Sequence, residues 1–153
     1  MDLILWRHAE AAIESPEQDD LERPLTSKGE RQAQRMAEWL NRHLAHSTRV
    51  LVSPALRCQQ TAQALGRRFR TVPALVPAAG AGALLAAARW PDGSEPVLVV
   101  GHQPTLGLVA SLALTGTAQP WSVKKGAVWW LRSRSREEGE RVVLQAVQGP
   151  DTL

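Results

Sequence analysis

Leu3-Ile4-Leu5-Trp6, Val50-Leu51-Val52 and Val97-Leu98-Val99-Val100 are short apolar runs, each stopping abruptly at polar residues. Runs of this length without polar alternation suit parallel strands covered on both faces. Between the first two, Ala33, Met36, Ala37, Leu40 and Leu44 recur every three or four residues, which predicts an amphipathic helix reaching about His43. Ser27 and Glu30 stand at capping-box spacing at its start, with Thr26 a competing cap. Ser53-Pro54 reads as an N-cap with proline at the first helical position. The helix it opens buries Ala55, Cys58, Ala62, Leu65 and Phe69, and it carries Arg57 and Thr61 together on another face. The polar, acidic segment 11–23 should be a surface loop whose tip can close over the end of the first strand.

Farther along, 71–79 reads as an extended, proline-interrupted connection and 81–90 as a short helix stopped by Pro91-Asp92-Gly93. Residues 106–114 are apolar all round, which implies a buried helix, and Gly116 ends it. Strand patterns at 127–131 and 142–147, separated by the charged stretch 132–141, predict an antiparallel pair added at a sheet edge. Trp129 and Trp130 must then point to opposite faces, and core packing suits them better than a stacking platform for bases.

Length narrows the architecture: 153 residues suit one domain spanning 1–153. No apolar run approaches the roughly 20 residues of a membrane span, and Met1 to Trp6 lacks a signal peptide's basic start and longer apolar core. A cytoplasmic protein without membrane contact is expected, in keeping with Cys58 as the single cysteine. The formal charge is +3, carried mostly by arginine, since Lys28, Lys124 and Lys125 are the only lysines. The arginines are spread along the chain. The clusters Arg67, Arg68, Arg70 and Arg132, Arg134, Arg136 read as solvated surface, so no nucleic-acid partner is expected. His43 and His46 fit a helix C-terminus rather than a metal site.

The chemistry gathers where the apolar runs end. Arg7-His8 follows the first, Arg57 lies in the first turn of the helix after the second, and Gly101-His102 follows the third. In a parallel sheet these positions converge at the carboxyl edge, where open α/β sheets bind ligands. Two arginines can grip a phosphoryl group by their forks, His102 can add a donor, and a neutral His8 can attack phosphorus. The neighbouring guanidinium groups would keep His8 neutral by lowering its pKa. An N-terminal strand leading into a solvated loop, with Arg57 simply exposed, would show the same local patterns. Other phosphate chemistries fit poorly. Position 64 is Ala64, where a cysteine phosphatase built on Cys58 would need arginine. There is no Gly-x-x-x-x-Gly-Lys run, and the four histidines are scattered without clustered acids.

Taken together, these residues resemble the histidine phosphatase superfamily, the phosphoglycerate-mutase-like branch 1 enzymes. Arg7-His8-Ala9-Glu10 is similar to the family's Arg-His-Gly motif, with Ala9 where the family has glycine. Leu25-Thr26 with Gly29, Ser53-Pro54 with Arg57 and Thr61, and Gly101-His102 with Pro104 match its later motifs in order. The short chain, Arg23-Pro24-Leu25-Thr26 and Leu75-Val76-Pro77 are most similar to the small SixA-type phosphohistidine phosphatases. The resemblance implies a three-layer α/β/α fold, its central sheet mainly parallel with an antiparallel C-terminal edge. It also implies His8 as the phosphorylated nucleophile, a phosphate pocket of Arg7, Arg57 and His102, and no metal or other cofactor. Arg23 either approaches the substrate or anchors its loop.

Relatives that hydrolyse alkyl phosphates carry a glutamate between the second and third motifs, but 71–90 contains no acid. Asp92 and Glu95 should sit at the opposite end of the sheet, which leaves Glu10 as a candidate donor. The expected partner is therefore a phosphohistidine-bearing protein. A small phosphorylated metabolite, or a catalytically silent phosphate-binding module, is the alternative.

Overall fold

The computed structural model describes residues 1–136 and 139–153. Its strands are β1 (Asp2–Arg7), β2 (Arg49–Val52), β3 (Arg70–Thr71), β4 (Val97–Gly101), β5 (Val128–Arg136) and β6 (Gly139–Gln148), in the sheet order β3-β2-β4-β1-β5-β6. β1, β2, β3 and β4 run parallel, and β5 and β6 add antiparallel at the β1 edge. This is the expected mixed sheet. Among the described residues four α-helices cover it: α1 (Ser27–His43), α2 (Leu56–Gln63), α3 (Ala81–Ala88) and α4 (Thr105–Thr115).

Side-chain alternation explains the three layers. Leu3, Leu5, Leu51, Val97 and Val99 face one way and pack with Leu84 and Ala88 of α3 and Leu106 and Val109 of α4. Ile4, Trp6, Val50, Val52, Leu98 and Val100 face the other way, against Met36 and Leu40 of α1 and Cys58 and Ala62 of α2. Strands buried on both faces must be apolar at every position, which accounts for the unbroken runs. Trp129 and Trp130 divide as expected. Trp130 packs edge-on to Trp39 on the α1 face, and Trp129 lies beside Trp121 on the other.

Several local expectations are corrected. Thr26, not Ser27, caps α1, its hydroxyl accepting from Gly29 N–H at 3.0 Å. α2 begins at Leu56 behind Ala55, and no side chain caps it; the Ser53 hydroxyl accepts from the Ala55 N–H, ahead of the helix. The connection after α2 contains β3, too short to leave a periodic signal. α4 is buried on one face, with Leu108, Leu112 and Leu114 half-exposed. β5 and β6 run well into the stretch expected to separate them, because alternating serine and arginine is itself a strand pattern. Ser133 is buried, and positions 137–138 of that stretch lie outside the described residues. Arg132 is not simply solvated, since it forms a two-point ion pair with Asp2 at 2.7 and 3.0 Å. Among the described residues no helix is long and apolar enough to cross a membrane.

The entry into α1 leaves no room for a side chain at Gly29: a β-carbon there would collide with the main-chain carbonyl of Glu10, whereas one on Gly82 in α3 meets nothing. Gly29→Ala should therefore destabilise the protein by about 1–3 kcal/mol. Gly82→Ala should stabilise it by about 0.5–1 kcal/mol. Urea unfolding of both variants checks this, and matching signs would contradict it.

Candidate active site

β1 and β4 end in step, Arg7 opposite Gly101, so His8 and His102 leave the sheet side by side with ring centroids 5.4 Å apart. Next to them β2 ends at Val52, and the Ser53 N–H donates to the Val100 carbonyl at 3.1 Å. The turn into α2 then brings Arg57 over the same edge.

His8 is only 6 % exposed. Its Nδ1 lies 2.7 Å from the Ala9 carbonyl, which can only accept, so Nδ1 carries the ring hydrogen and Nε2 keeps its lone pair. Burial pushes the ring's pKa down from the ordinary 6.5 to about 4. That value already includes the upward pull of the Ala9 carbonyl and the smaller lowering by the charges of Arg57, Arg7 and Arg23. His102 is pushed down to about 3 by burial, with His8 and Arg57 adding to it. Its Nε2 is 2.7 Å from the Ser53 hydroxyl. That oxygen also accepts from Ala55 N–H at 3.2 Å, which fixes the hydroxyl beside the ring.

Both principal arginines are held by backbone. Arg7 Nη1 donates to the Val123 carbonyl at 2.9 Å, and Arg57 Nη1 to the Asp20 carbonyl at 2.7 Å. The Nε atom of each is buried without a protein partner. Buried donors are rarely left unmet, so two of them at the same sheet edge mark where an anion would bind. Arg23 donates from Nε to Asp20 Oδ1 at 2.8 Å and from Nη1 to the Ala12 carbonyl at 2.6 Å. It therefore anchors its loop, and its charge also reaches His8.

Glu10, the candidate donor, is committed elsewhere: its carboxylate accepts the Thr26 hydroxyl at 2.7 Å. Ala9 needs no glycine-like backbone, and its methyl packs with Leu25 and Ala33 while its N–H donates to Thr61 Oγ1 at 3.1 Å. Sequence reasoning missed Ser53, Val123 and Asp20 as partners of the site. Only Asp20 left a trace, standing three residues before Arg23 on the short turn Asp20–Glu22. Among the described residues no three histidine, cysteine, aspartate or glutamate side chains group to hold a metal ion.

The chain is similar to several known proteins. The model of the histidine phosphatase superfamily (branch 1) matches residues 3–78. The chain is 32 % identical over 128 residues to phosphohistidine phosphatase SixA of Escherichia coli, covering 78 % of each. It is 37 % identical over 141 residues to an uncharacterised protein of Picosynechococcus, covering 87 % of this chain and 86 % of that one. A solved structure of the protein histidine phosphatase SixA with tungstate superposes with a TM-score of 0.81 at 28 % identity, covering 99 % of both chains.

Because both histidines have folded pKa values below 6.5, the unfolded chain binds more protons than the folded one between about 4 and 6.5 for His8 and about 3 and 6.5 for His102. Stability should fall as pH drops through that window, by on the order of 3 kcal/mol for His8 and on the order of 5 kcal/mol for His102. His8→Asn should flatten the slope when urea unfolding is followed at several pH values. An unchanged slope would mean that His8 is not held neutral by the fold.

Proposed function

Because the chain belongs to branch 1 of the histidine phosphatase superfamily, we propose that this phosphatase removes the phosphoryl group from phosphohistidine on a protein through a covalent intermediate on His8. The observation that carries this reading is a neutral, buried His8 whose Nδ1–H is tied to Ala9, set beside the unpartnered Nε donors of Arg7 and Arg57. Nε2 attacks phosphorus as the substrate's P–N bond breaks, and the departing imidazole takes up a proton. Water then cleaves the new P–N bond, releasing phosphate and regenerating His8. Arg7, Arg57 and His102 bind the three phosphoryl oxygens, where charge builds in the transition state. None of these steps assigns a role to a metal.

Substrate class follows from the proton balance. An alkyl ester loses a poor alkoxide and needs a positioned acid, whereas phosphohistidine loses an imidazole whose pKa near 6.5 makes its protonation easy. Glu10 is held by Thr26. Burial alone would raise the Asp20 carboxyl, but hydrogen bonds from Arg23 and Arg57 and their charges outweigh it and keep Asp20 ionised. Its SixA-like relatives, one of them described as a protein histidine phosphatase, support a protein substrate over a metabolite.

The deciding measurement is kcat/KM for a phosphohistidine protein against sugar phosphates and phosphoglycerates at neutral pH, with and without chelator. The phosphoprotein should be clearly preferred and chelation should change nothing; preference for an alkyl ester would favour the metabolite reading. Quenched turnover should show acid-labile, alkali-stable phosphate on the enzyme, absent in His8→Ala, and label on serine or aspartate would exclude His8.

Arg57→Lys retains charge but not the fork, and should cost about two orders of magnitude in rate, the equivalent of about 3 kcal/mol. Wild-type kinetics in that variant would remove Arg57 from the pocket.

A further inference from the structure

The acid that sequence reasoning passed over holds two guanidinium groups at once. Asp20 Oδ1 accepts from Arg23 Nε at 2.8 Å, Oδ2 accepts from Arg57 Nη2 at 3.0 Å, and its carbonyl accepts from Arg57 Nη1 at 2.7 Å. Both outer nitrogens of Arg57 are thus gripped by one residue, while the inner Nε is buried and unpartnered. Arg7 is held partly in the same way, with one outer nitrogen, Nη1, on the Val123 carbonyl and Nε unpartnered. A guanidinium fixed by its outer nitrogens presents its Nε edge to a ligand, and a carboxylate shared by two of them sets their separation.

From these contacts we infer that Asp20 is a positioning residue for phosphoryl recognition. It orients Arg57 and draws Arg23 toward the pocket without touching the phosphoryl group itself. The inference rests on the phosphatase reading of the pocket. Charge balance supports it: Arg7, Arg57 and Arg23 bring three positive charges to two neutral histidines, and Asp20 cancels one. What remains complements a dianionic phosphoryl group. Without the carboxylate, Arg23, on its loop, would be repelled by Arg57.

A carboxylate that merely filled the pocket would have the opposite effect when removed, so the sign of one measurement separates the two roles. The probe is inorganic phosphate, titrated calorimetrically against the full chain, with kcat and KM for a chromogenic aryl phosphate taken in parallel. Asp20 sits on a surface turn with its side chain 42 % exposed, so Asp20→Asn should fold normally. It should weaken phosphate binding about tenfold, the size of one charge-assisted hydrogen bond, and raise KM more than it lowers kcat. Asp19→Asn removes the same charge one residue away and keeps the cap on Leu21 N–H, so it should change binding by less than about twofold. Positioning also demands non-additivity: the penalty of Arg23→Ala should nearly vanish in the Asp20→Asn background. Tighter or unchanged phosphate binding in Asp20→Asn, or fully additive penalties, would overturn the proposal. Failure of the wild-type protein to bind phosphate would instead overturn the phosphatase reading beneath it.

Discussion

Three guanidinium groups crowd around two uncharged imidazoles, and the protein itself has to hold them there. Like charges at this separation in a partly buried setting repel strongly. The opposing grip comes largely from main-chain carbonyls: Val123 for Arg7, Asp20 for Arg57 and Ala12 for Arg23, with the Asp20 carboxylate bridging the last two. Carbonyls suit this task because they accept hydrogen bonds without cancelling charge. The cations stay available to a phosphoryl group, and little reorganisation is needed when one binds.

That solution makes the site depend on two loops, and each loop is tied back to β1 or to the residues that directly follow it. Gly126 N–H donates to the His8 carbonyl, and the fully buried Trp6 indole donates to the Gly126 carbonyl, both at 3.0 Å. On the other side, Thr26 N–H reaches the Glu10 carbonyl at 3.0 Å, and Ala12 N–H the Pro24 carbonyl at 2.8 Å. The close approach of Glu10 to Gly29 is part of the same closure. β1 therefore acts in two ways: it delivers Arg7 and His8, and it anchors the segments that hold Arg7, Arg57 and Arg23 in place.

This division explains what could be read from the chain. Apolar runs and their polar ends report burial and direction, so the parallel strands and the meeting of His8, Arg57 and His102 were legible. Contacts that depend on backbone carbonyls were not, because every residue has a carbonyl and Val123 looks like any other valine. Ser53 misled for a related reason. A serine before proline is a good helix cap, but here its hydroxyl has a better partner in a buried imidazole, and α2 starts later without a side-chain cap. Thr26 over Ser27 was decided by tertiary structure as well, since only Thr26 lies within reach of Glu10. The two-residue β3 is defined by its pairing with β2 and has no periodicity to detect.

Cys58 completes the electrostatic argument from the apolar side. Its thiol is fully buried, and burial pushes its pKa up to about 12, so it stays protonated and is a poor nucleophile. It lies 3.5 Å from His102 Nε2 and 3.8 Å from the Gly101 carbonyl, filling the space beneath the imidazole where water would otherwise solvate a charged ring. A polar residue there would ease protonation of His102. A protonated His102 would add a fourth cation to the cluster. The small apolar residues on this face of α2, Cys58 and Ala62, thus serve the chemistry through exclusion of water, keeping both histidines neutral beside arginines that are always charged.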